Sequence, residues 1–143
     1  MMVPVRLARI VQLFAEAPPE LRLQVLLDYS RRLPPLPPRF AGHPQLLERV
    51  HECQTPFFLA VEVEDDGTVR LYFDVPVESP TMRGYAGILD EGLNGATTEE
   101  ILGVPSDFYL HMGLQEAVSP LRLWGMGAIV ATLKRQVARQ LRV

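Results

Sequence analysis

The sequence predicts an α+β domain in which helices pack on one face of a small antiparallel sheet. Three observations support this prediction. Amphipathic segments with helical periodicity occupy residues 7–32, a hairpin pattern occupies residues 57–73, and an apolar stripe with helical spacing covers residues 123–141. The chain has 143 residues, a length typical of one domain, so we expect a single domain over residues 1–143.

Two helices are predicted before the hairpin. The first follows the i, i+3, i+4, i+7 spacing of an amphipathic helix, through Leu7, Ile10, Val11 and Phe14. Pro18 and Pro19 end that helix, and three leucines that follow indicate a second helix over residues 20–32. The proline-rich residues 33–38 are incompatible with a helix interior, so they indicate a stiff, extended connector.

Residues 57–73 form the clearest hairpin pattern. A three-residue loop that ends at a left-handed Gly67 sets Val63 opposite Val69, so that apolar residues face each other. A two-residue loop would instead set Val63 opposite Arg70, and the pairing therefore favours the longer loop. Only alternate side chains point to the core, so we expect one face of the sheet to be covered.

Three further helices are predicted after the hairpin. Ser79 and Pro80 are typical of a helix start, because serine caps the first turn and proline fits the first helical position. Thr97 and Glu100 fit a capping box for a short helix. Ser119 and the proline after it start the last helix, whose apolar stripe lasts under three heptads. Packing on the sheet is therefore favoured over a coiled coil.

Small and aromatic residues within these helices predict how they pack. Gly84 and Gly87 lie inside a helical stretch and indicate close approach of a neighbouring element. They lack the spacing, and the following lysine, of a phosphate-binding loop. Trp124 lies one turn into the last helix, and we expect it to be a core or half-buried aromatic residue.

Composition excludes several classes of site and partner. The single cysteine excludes an internal disulfide, cysteine-rich zinc sites and ligation of an iron–sulfur cluster. The three histidines lack metal-ligand spacing, so no metal is expected. The net charge of −3 argues against nucleic acid, and the absence of an apolar run of about 18–20 residues argues against a membrane span. A free thiol and a start without a signal-peptide core indicate the cytoplasm.

Cys53 is the candidate reactive residue. It lies in a polar stretch between the connector and the hairpin, which indicates an accessible turn or strand end; a buried, inert cysteine is the alternative. If the stretch is extended, His51 shares a face with Cys53, and a protonated imidazole there would lower the pKa of the thiol. An ordinary exposed histidine is equally compatible with the sequence. Glu52 has the opposite effect, because a nearby carboxylate opposes thiolate formation.

Blocks of the sequence occur in the order found in SufE-type sulfur-acceptor proteins. Residues 50–58 resemble that family's V-x-G-C-x-S-x-V-W segment, and residues 33–37 resemble its R-L-P-x-L stretch. Three later blocks resemble D-S-x-A-x-I-V-x-G-L-x-A-I-L (residues 74–89), T-P-x-E-I-L (residues 98–102) and L-x-x-x-L-S-P-x-R-x-N-G-L (residues 114–126). The chain departs from the pattern at four positions, with Glu52 for glycine, Thr55 for serine, Phe58 for tryptophan and Trp124 for asparagine.

The resemblance implies a SufE-like fold, similar to that of IscU-type iron–sulfur scaffolds, and a function centred on Cys53. Such proteins accept persulfide sulfur from a SufS-type cysteine desulfurase, stimulate its turnover and deliver the sulfur to iron–sulfur cluster assembly. They are sulfur-transfer proteins and desulfurase activators rather than stand-alone enzymes. Pyridoxal phosphate belongs to the desulfurase, and this chain is expected to bind no cofactor. One cysteine is too few for this chain to be a scaffold itself. The resemblance implies an iron–sulfur scaffold as a possible downstream partner.

The resemblance also implies roles for residues near the cysteine. Loop support or partner contact is expected of His51, Glu52, Gln54, Thr55, Arg83 and Arg122. Arg122 either stabilises a sulfur anion or makes a structural hydrogen bond. Between transfers the loop is expected to fold back over an apolar surface, with Leu46, Leu47 and Val50 on its apolar side. Two other functions stay open: a non-catalytic adaptor that binds the desulfurase, and a thiol-dependent redox or hydrolytic enzyme that acts alone.

Overall fold

The computed structural model describes residues 3–141 and contains five α-helices and a three-stranded antiparallel sheet. The helices are α1 (Val5–Glu16), α2 (Arg22–Ser30), α3 (Pro80–Leu93), α4 (Thr98–Leu102) and α5 (Pro120–Leu141). The strands are β1 (Glu48–Arg49), β2 (Phe58–Val63) and β3 (Val69–Asp74), in the spatial order β1-β2-β3. Short 3₁₀ helices cover Pro19–Leu21, Pro44–Leu46, Phe108–Met112 and Leu114–Glu116. The predicted α+β class is confirmed.

β2 and β3 pair in the predicted register. Val63 lies opposite Val69, and Gly67 has a φ of +84°, in the left-handed region. The Gly67 N–H donates a hydrogen bond to the Glu64 carbonyl at 2.9 Å. The Asp66 carboxylate accepts one from the backbone N–H of Thr68 at 3.0 Å. The turn therefore follows from local chemistry, as the sequence indicated.

β1 was not predicted, because two residues carry no periodic signal. It pairs with the first two residues of β2 only, which leaves the rest of that edge open. The long helix α5 closes it: Gln136 accepts a hydrogen bond from the Val61 N–H at 3.1 Å, and Gln140 accepts one from the Val63 N–H at 2.9 Å. These contacts satisfy an otherwise unpaired strand edge and hold α5 against the sheet, as its apolar stripe predicted.

The predicted helix starts are mostly confirmed. Thr97 Oγ1 accepts a hydrogen bond from the Glu100 N–H at 3.1 Å, and the Glu100 carboxylate accepts one from the Thr97 N–H at 3.0 Å, which completes the capping box. Ser119 caps α5 through a 3.3 Å hydrogen bond from the Arg122 N–H. At α3 the helix begins at Pro80 as predicted, but the Ser79 side chain makes no capping hydrogen bond. α2 is shorter than expected, since a 3₁₀ turn precedes it.

Two glycines set the distance between α2 and α3. A Cβ atom at Gly84 would lie 2.2 Å from the Leu26 carbonyl oxygen, and one at Gly87 would lie 2.3 Å from the Tyr29 carbonyl oxygen. No side chain fits at either position without moving the helices apart. The predicted close approach is confirmed.

The main core lies between the helices and one face of the sheet, where Leu59 and Leu71 are buried. The opposite face carries a smaller cluster of Phe40, Leu47 and Ala60. The segment before β1 therefore covers part of the face that strand alternation had indicated as open.

Candidate functional site

Residues 50–57 form the loop that joins β1 to β2 and carries Cys53. The Val50 N–H donates a hydrogen bond to the Phe57 carbonyl at 2.9 Å, which closes the loop at its base. The Cys53 N–H donates to the Val50 carbonyl at 3.1 Å, which makes residues 50–53 a turn. Val50 and Phe57 are buried, so the loop is anchored in the core at both ends.

The Cys53 side chain points inward, against α5. Only 5% of the residue is exposed. The thiol lies over Gly125, where a Cβ atom would stand 2.9 Å from Sγ. Of the two expected local structures, a turn or a strand end, the turn is present. The expected accessibility of the thiol is wrong, because a helix distant in sequence covers the turn. Gly125 belongs to the block of residues 114–126, yet nothing in its local sequence indicated this contact.

A cavity of about 50 Å³ adjoins the thiol. Gln54 and Thr55 line it from the loop, Leu121 and Arg122 line it from the start of α5, and Met82 lines it from α3. One water needs about 10–15 Å³ by this measure, so the cavity has room for a small additional group. Three of the predicted site residues are thus brought to the cysteine, whereas the sequence carried no signal for Met82 or Leu121.

The surroundings of Cys53 favour the protonated thiol. Burial, and to a lesser extent the negative charge of Glu52, raise the pKa of Cys53 to about 11. At pH 7 only about one molecule in 10⁴ then carries the thiolate. Glu52 acts in the expected direction, and the net shift of the Cys53 pKa is upward, opposite to the lowering that a protonated His51 would cause.

The remaining predicted residues lie outside the cavity. His51 and Glu52 are exposed in the turn. Arg83 donates hydrogen bonds to the Ser30 carbonyl, at 3.2 Å, and to the Val75 carbonyl, so it ties α3 to the end of α2 and to the segment after β3.

The three apolar residues expected on the inner side of the loop do not act together. Val50 is buried in the main core, and Leu47 is buried in the smaller cluster. Leu46 is 54% exposed. Only Val50 therefore lies beneath the cysteine turn, since it opens that turn and shares the core with Cys53.

A groove of about 480 Å³, here called the Trp124 groove, lies on the outer side of the cysteine turn. The expectation that Trp124 is core or half-buried is wrong: it is 67% exposed. The groove is lined by Glu52, Asp107 and Tyr109 from the loops and by Trp124, Gly127 and Ala128 from α5.

The described residues show neither a cluster of metal ligands nor a membrane-spanning helix. Within residues 3–141, no three or more His, Cys, Asp or Glu side chains gather closely enough to hold a metal ion. In the same part of the chain, no helix is both long and apolar enough to cross a membrane.

Comparison with known proteins identifies the family. The SufE family, described as an Fe-S metabolism associated domain, matches residues 8–137. An uncharacterized SufE-like protein of Mycobacterium tuberculosis is 45% identical over 134 residues, which are 94% of this chain and 92% of that protein. The SufE-like protein 1, chloroplastic/mitochondrial, of Arabidopsis thaliana is 28% identical over 124 residues, which are 86% of this chain and 32% of that protein.

A solved structure agrees with this assignment. The solution structure of a hypothetical protein from Thermus thermophilus is 49% identical in sequence, with a TM-score of 0.87. The alignment covers 99% of this chain and 100% of that one, so the similarity extends over the whole fold. The chain belongs to the SufE family of proteins associated with iron–sulfur metabolism.

Proposed function

We propose that Cys53 accepts a sulfur atom from the persulfide of a cysteine desulfurase, and that the protein stimulates this desulfurase and delivers the sulfur to iron–sulfur cluster assembly. One observation carries the proposal. The only cysteine of a SufE-family chain lies on a loop turn, against Gly125, beside a cavity with room for one further small group. In this role the protein is a sulfur-transfer protein rather than a stand-alone enzyme.

The transfer is an in-line displacement, as in thiol–disulfide exchange. The Cys53 thiolate attacks the outer sulfur of the donor persulfide. A new S–S bond forms at Cys53 while the bond between the two donor sulfurs breaks. The donor cysteine leaves as a thiolate and takes up the proton that Cys53 has lost, so no outside oxidant or reductant is needed.

The buried conformation is the resting state in this scheme. A thiol with a pKa of about 11 reacts slowly, so the turn must leave Gly125 before transfer. Leaving α5 exposes the thiol to water and removes the larger cause of its raised pKa. Val50 and Phe57 stay anchored in the core, so the movement is confined to the residues between them.

Closure of the loop after transfer protects the persulfide. The cavity beside Cys53 would receive the outer sulfur, and Arg122, which lines this cavity, would offer positive charge to the S–S⁻ group. Gln54 and Thr55 offer hydrogen-bond donors from the loop itself. Exclusion of solvent slows oxidation of the sulfur.

The scheme requires no cofactor on this chain. Pyridoxal phosphate is proposed to belong to the desulfurase, as the family resemblance implies. A single free thiol suits the reducing cytoplasm. The downstream acceptor is an iron–sulfur scaffold.

A non-catalytic adaptor is the second candidate function. It would bind and stimulate the desulfurase without taking sulfur. The specific observation in its favour is the pKa of Cys53, which burial and Glu52 both raise.

Intact-mass measurement tests the proposal and separates it from the adaptor. The protein is incubated with the cysteine desulfurase of the same organism and with cysteine. We expect a gain of about 32 Da, absent from Cys53→Ser, together with faster desulfurase turnover. Stimulation that persists in Cys53→Ser, together with no mass gain by the parent protein, would identify the adaptor. An unmodified Cys53 and unchanged turnover would contradict both functions.

A further inference from the structure

The Trp124 groove has a floor made by one face of α5. Trp124, Gly127, Ala128 and Ala131 follow the i, i+3, i+4, i+7 spacing, so they lie along the same side of the helix. The last three have small side chains or none, which makes this side concave next to the large indole. The result is an open groove of about 480 Å³ on the surface.

An exposed tryptophan at the edge of a groove is a typical anchor for a partner protein. Trp124 is 67% exposed, although its ring has a large apolar area that water solvates poorly. Tyr109 lines the same groove and adds a second aromatic ring. Tryptophan and tyrosine are enriched among the residues that contribute most to binding at protein interfaces.

The polar side of the groove is negatively charged. Glu52 and Asp107 both line it. The six ion pairs found within residues 3–141 all involve other carboxylates, so neither acid is paired with a cation of the described chain. Two unpaired carboxylates and two aromatic side chains lining one groove form a favourable environment for a cation with an apolar stem.

We propose that the Trp124 groove is the docking site for an arginine or lysine side chain of the sulfur-donating desulfurase. Tryptophan gives the strongest cation–π contact of the aromatic residues, and the two carboxylates complement the same charge. The inference rests on the proposed function, because it names the donor as the occupant of the groove.

The position of the groove links docking to the chemistry of the thiol. Glu52 lines the groove and precedes Cys53 in the turn, while Trp124 precedes the Gly125 that covers Sγ. A docked cation would neutralise the Glu52 carboxylate, which is one of the two causes that hold the thiol protonated. Docking therefore favours the thiolate only when a donor is present.

Calorimetric titration with the desulfurase of the same organism tests the inference. Every variant carries Cys53→Ser, so that binding is measured without sulfur transfer. We expect Trp124→Ala to raise the Kd at least about tenfold, as for a central aromatic anchor. The double variant Glu52→Gln, Asp107→Asn should also raise the Kd, and it should flatten the dependence of binding on salt.

Matched controls come from exposed residues outside the groove. Val5→Ala removes an apolar side chain that is 65% exposed on α1, and Glu20→Gln removes an exposed carboxylate. Both should bind like the parent protein. Trp124 is exposed, so its variant should keep the thermal unfolding midpoint of the parent, which excludes misfolding as the cause of weaker binding.

The outcomes separate this inference from the proposed function. An unchanged Kd for Trp124→Ala would overturn the docking site, and sulfur uptake by a separate Trp124→Ala variant that retains Cys53 would leave the proposed function intact. A desulfurase that neither binds the parent protein nor transfers sulfur to it would overturn both. If sedimentation shows a dimer of this chain that Trp124→Ala dissociates, while the Kd for the desulfurase is unchanged, the occupant is a second copy and the inference is wrong.

Discussion

Replacing Gly125 by alanine should move the cysteine turn away from α5. The added Cβ atom would stand 2.9 Å from the Cys53 Sγ and 3.6 Å from its Cα. Favourable contact between such atoms begins near 3.5–4.0 Å, so the first distance is a clash. The turn lies on a loop, whereas α5 is packed along its length, so the turn is the part that moves. The thiol then becomes exposed.

The two effects of Gly125→Ala have different sizes. Alanine in a helix interior gains about 1 kcal/mol over glycine, and overpacking costs about 1–3 kcal/mol, so the free energy of unfolding should fall by about 0–2 kcal/mol. The chemical effect is larger. If exposure returns the pKa of Cys53 from about 11 toward its ordinary value of 9.0, the thiolate fraction at pH 7 rises by up to about 100-fold, which is 10 raised to the power 11 − 9.

Alkylation of Cys53 by iodoacetamide, followed by intact mass between pH 7 and pH 10, measures this change. Gly127→Ala is the control on the same helix, since a Cβ atom there meets Ser106 and Tyr109 only at 3.8–3.9 Å, which is ordinary contact. It gains the same helix propensity and should leave the alkylation rate unchanged. Equal alkylation rates for Gly125→Ala and the parent protein would refute the reasoning, because the turn would then not rest on Gly125 in solution.

Three further predictions concern charge, a buried hydroxyl and helix packing. Glu52→Gln removes one cause of the raised pKa of Cys53, so iodoacetamide should alkylate the thiol about fivefold faster at pH 8. This rate ratio corresponds to ~1 kcal/mol of electrostatic interaction between Glu52 and the thiolate. An unchanged alkylation rate would exclude Glu52 as a cause. Tyr85→Phe removes a buried hydroxyl that has no hydrogen-bond partner within residues 3–141, so urea unfolding should show equal or up to about 1 kcal/mol higher stability, and a clear loss would reveal a partner. Gly84→Ala, with its Cβ 2.2 Å from a carbonyl oxygen of α2, should lose about 3 kcal/mol in the same assay; parent-like stability would contradict the close packing of α2 and α3.

Local interactions explain why much of the fold follows from the sequence alone. The hairpin register depends on Gly67 and on residues within one turn of it, and the start of α4 depends on Thr97 and Glu100, three residues apart. Such signals involve neighbours in the chain, so they can be recognised before any tertiary contact is known. Cys53 and the polar stretch that contains it were identified in the same way.

Tertiary contacts decided the state of the site. Whether Cys53 is exposed depends on α5, whose Gly125 covers the thiol from a distant part of the chain. Whether Trp124 is buried depends on which side of α5 the sheet and the loops cover, and helical periodicity does not show this where the neighbouring residues are small. The sequence by itself identified Cys53 as the candidate reactive residue, in a polar stretch expected to be a turn or a strand end. The packing of α5 on that turn determined that the thiol is sheltered and protonated, because burial is a property of the assembled surfaces and not of the segment that contains the cysteine.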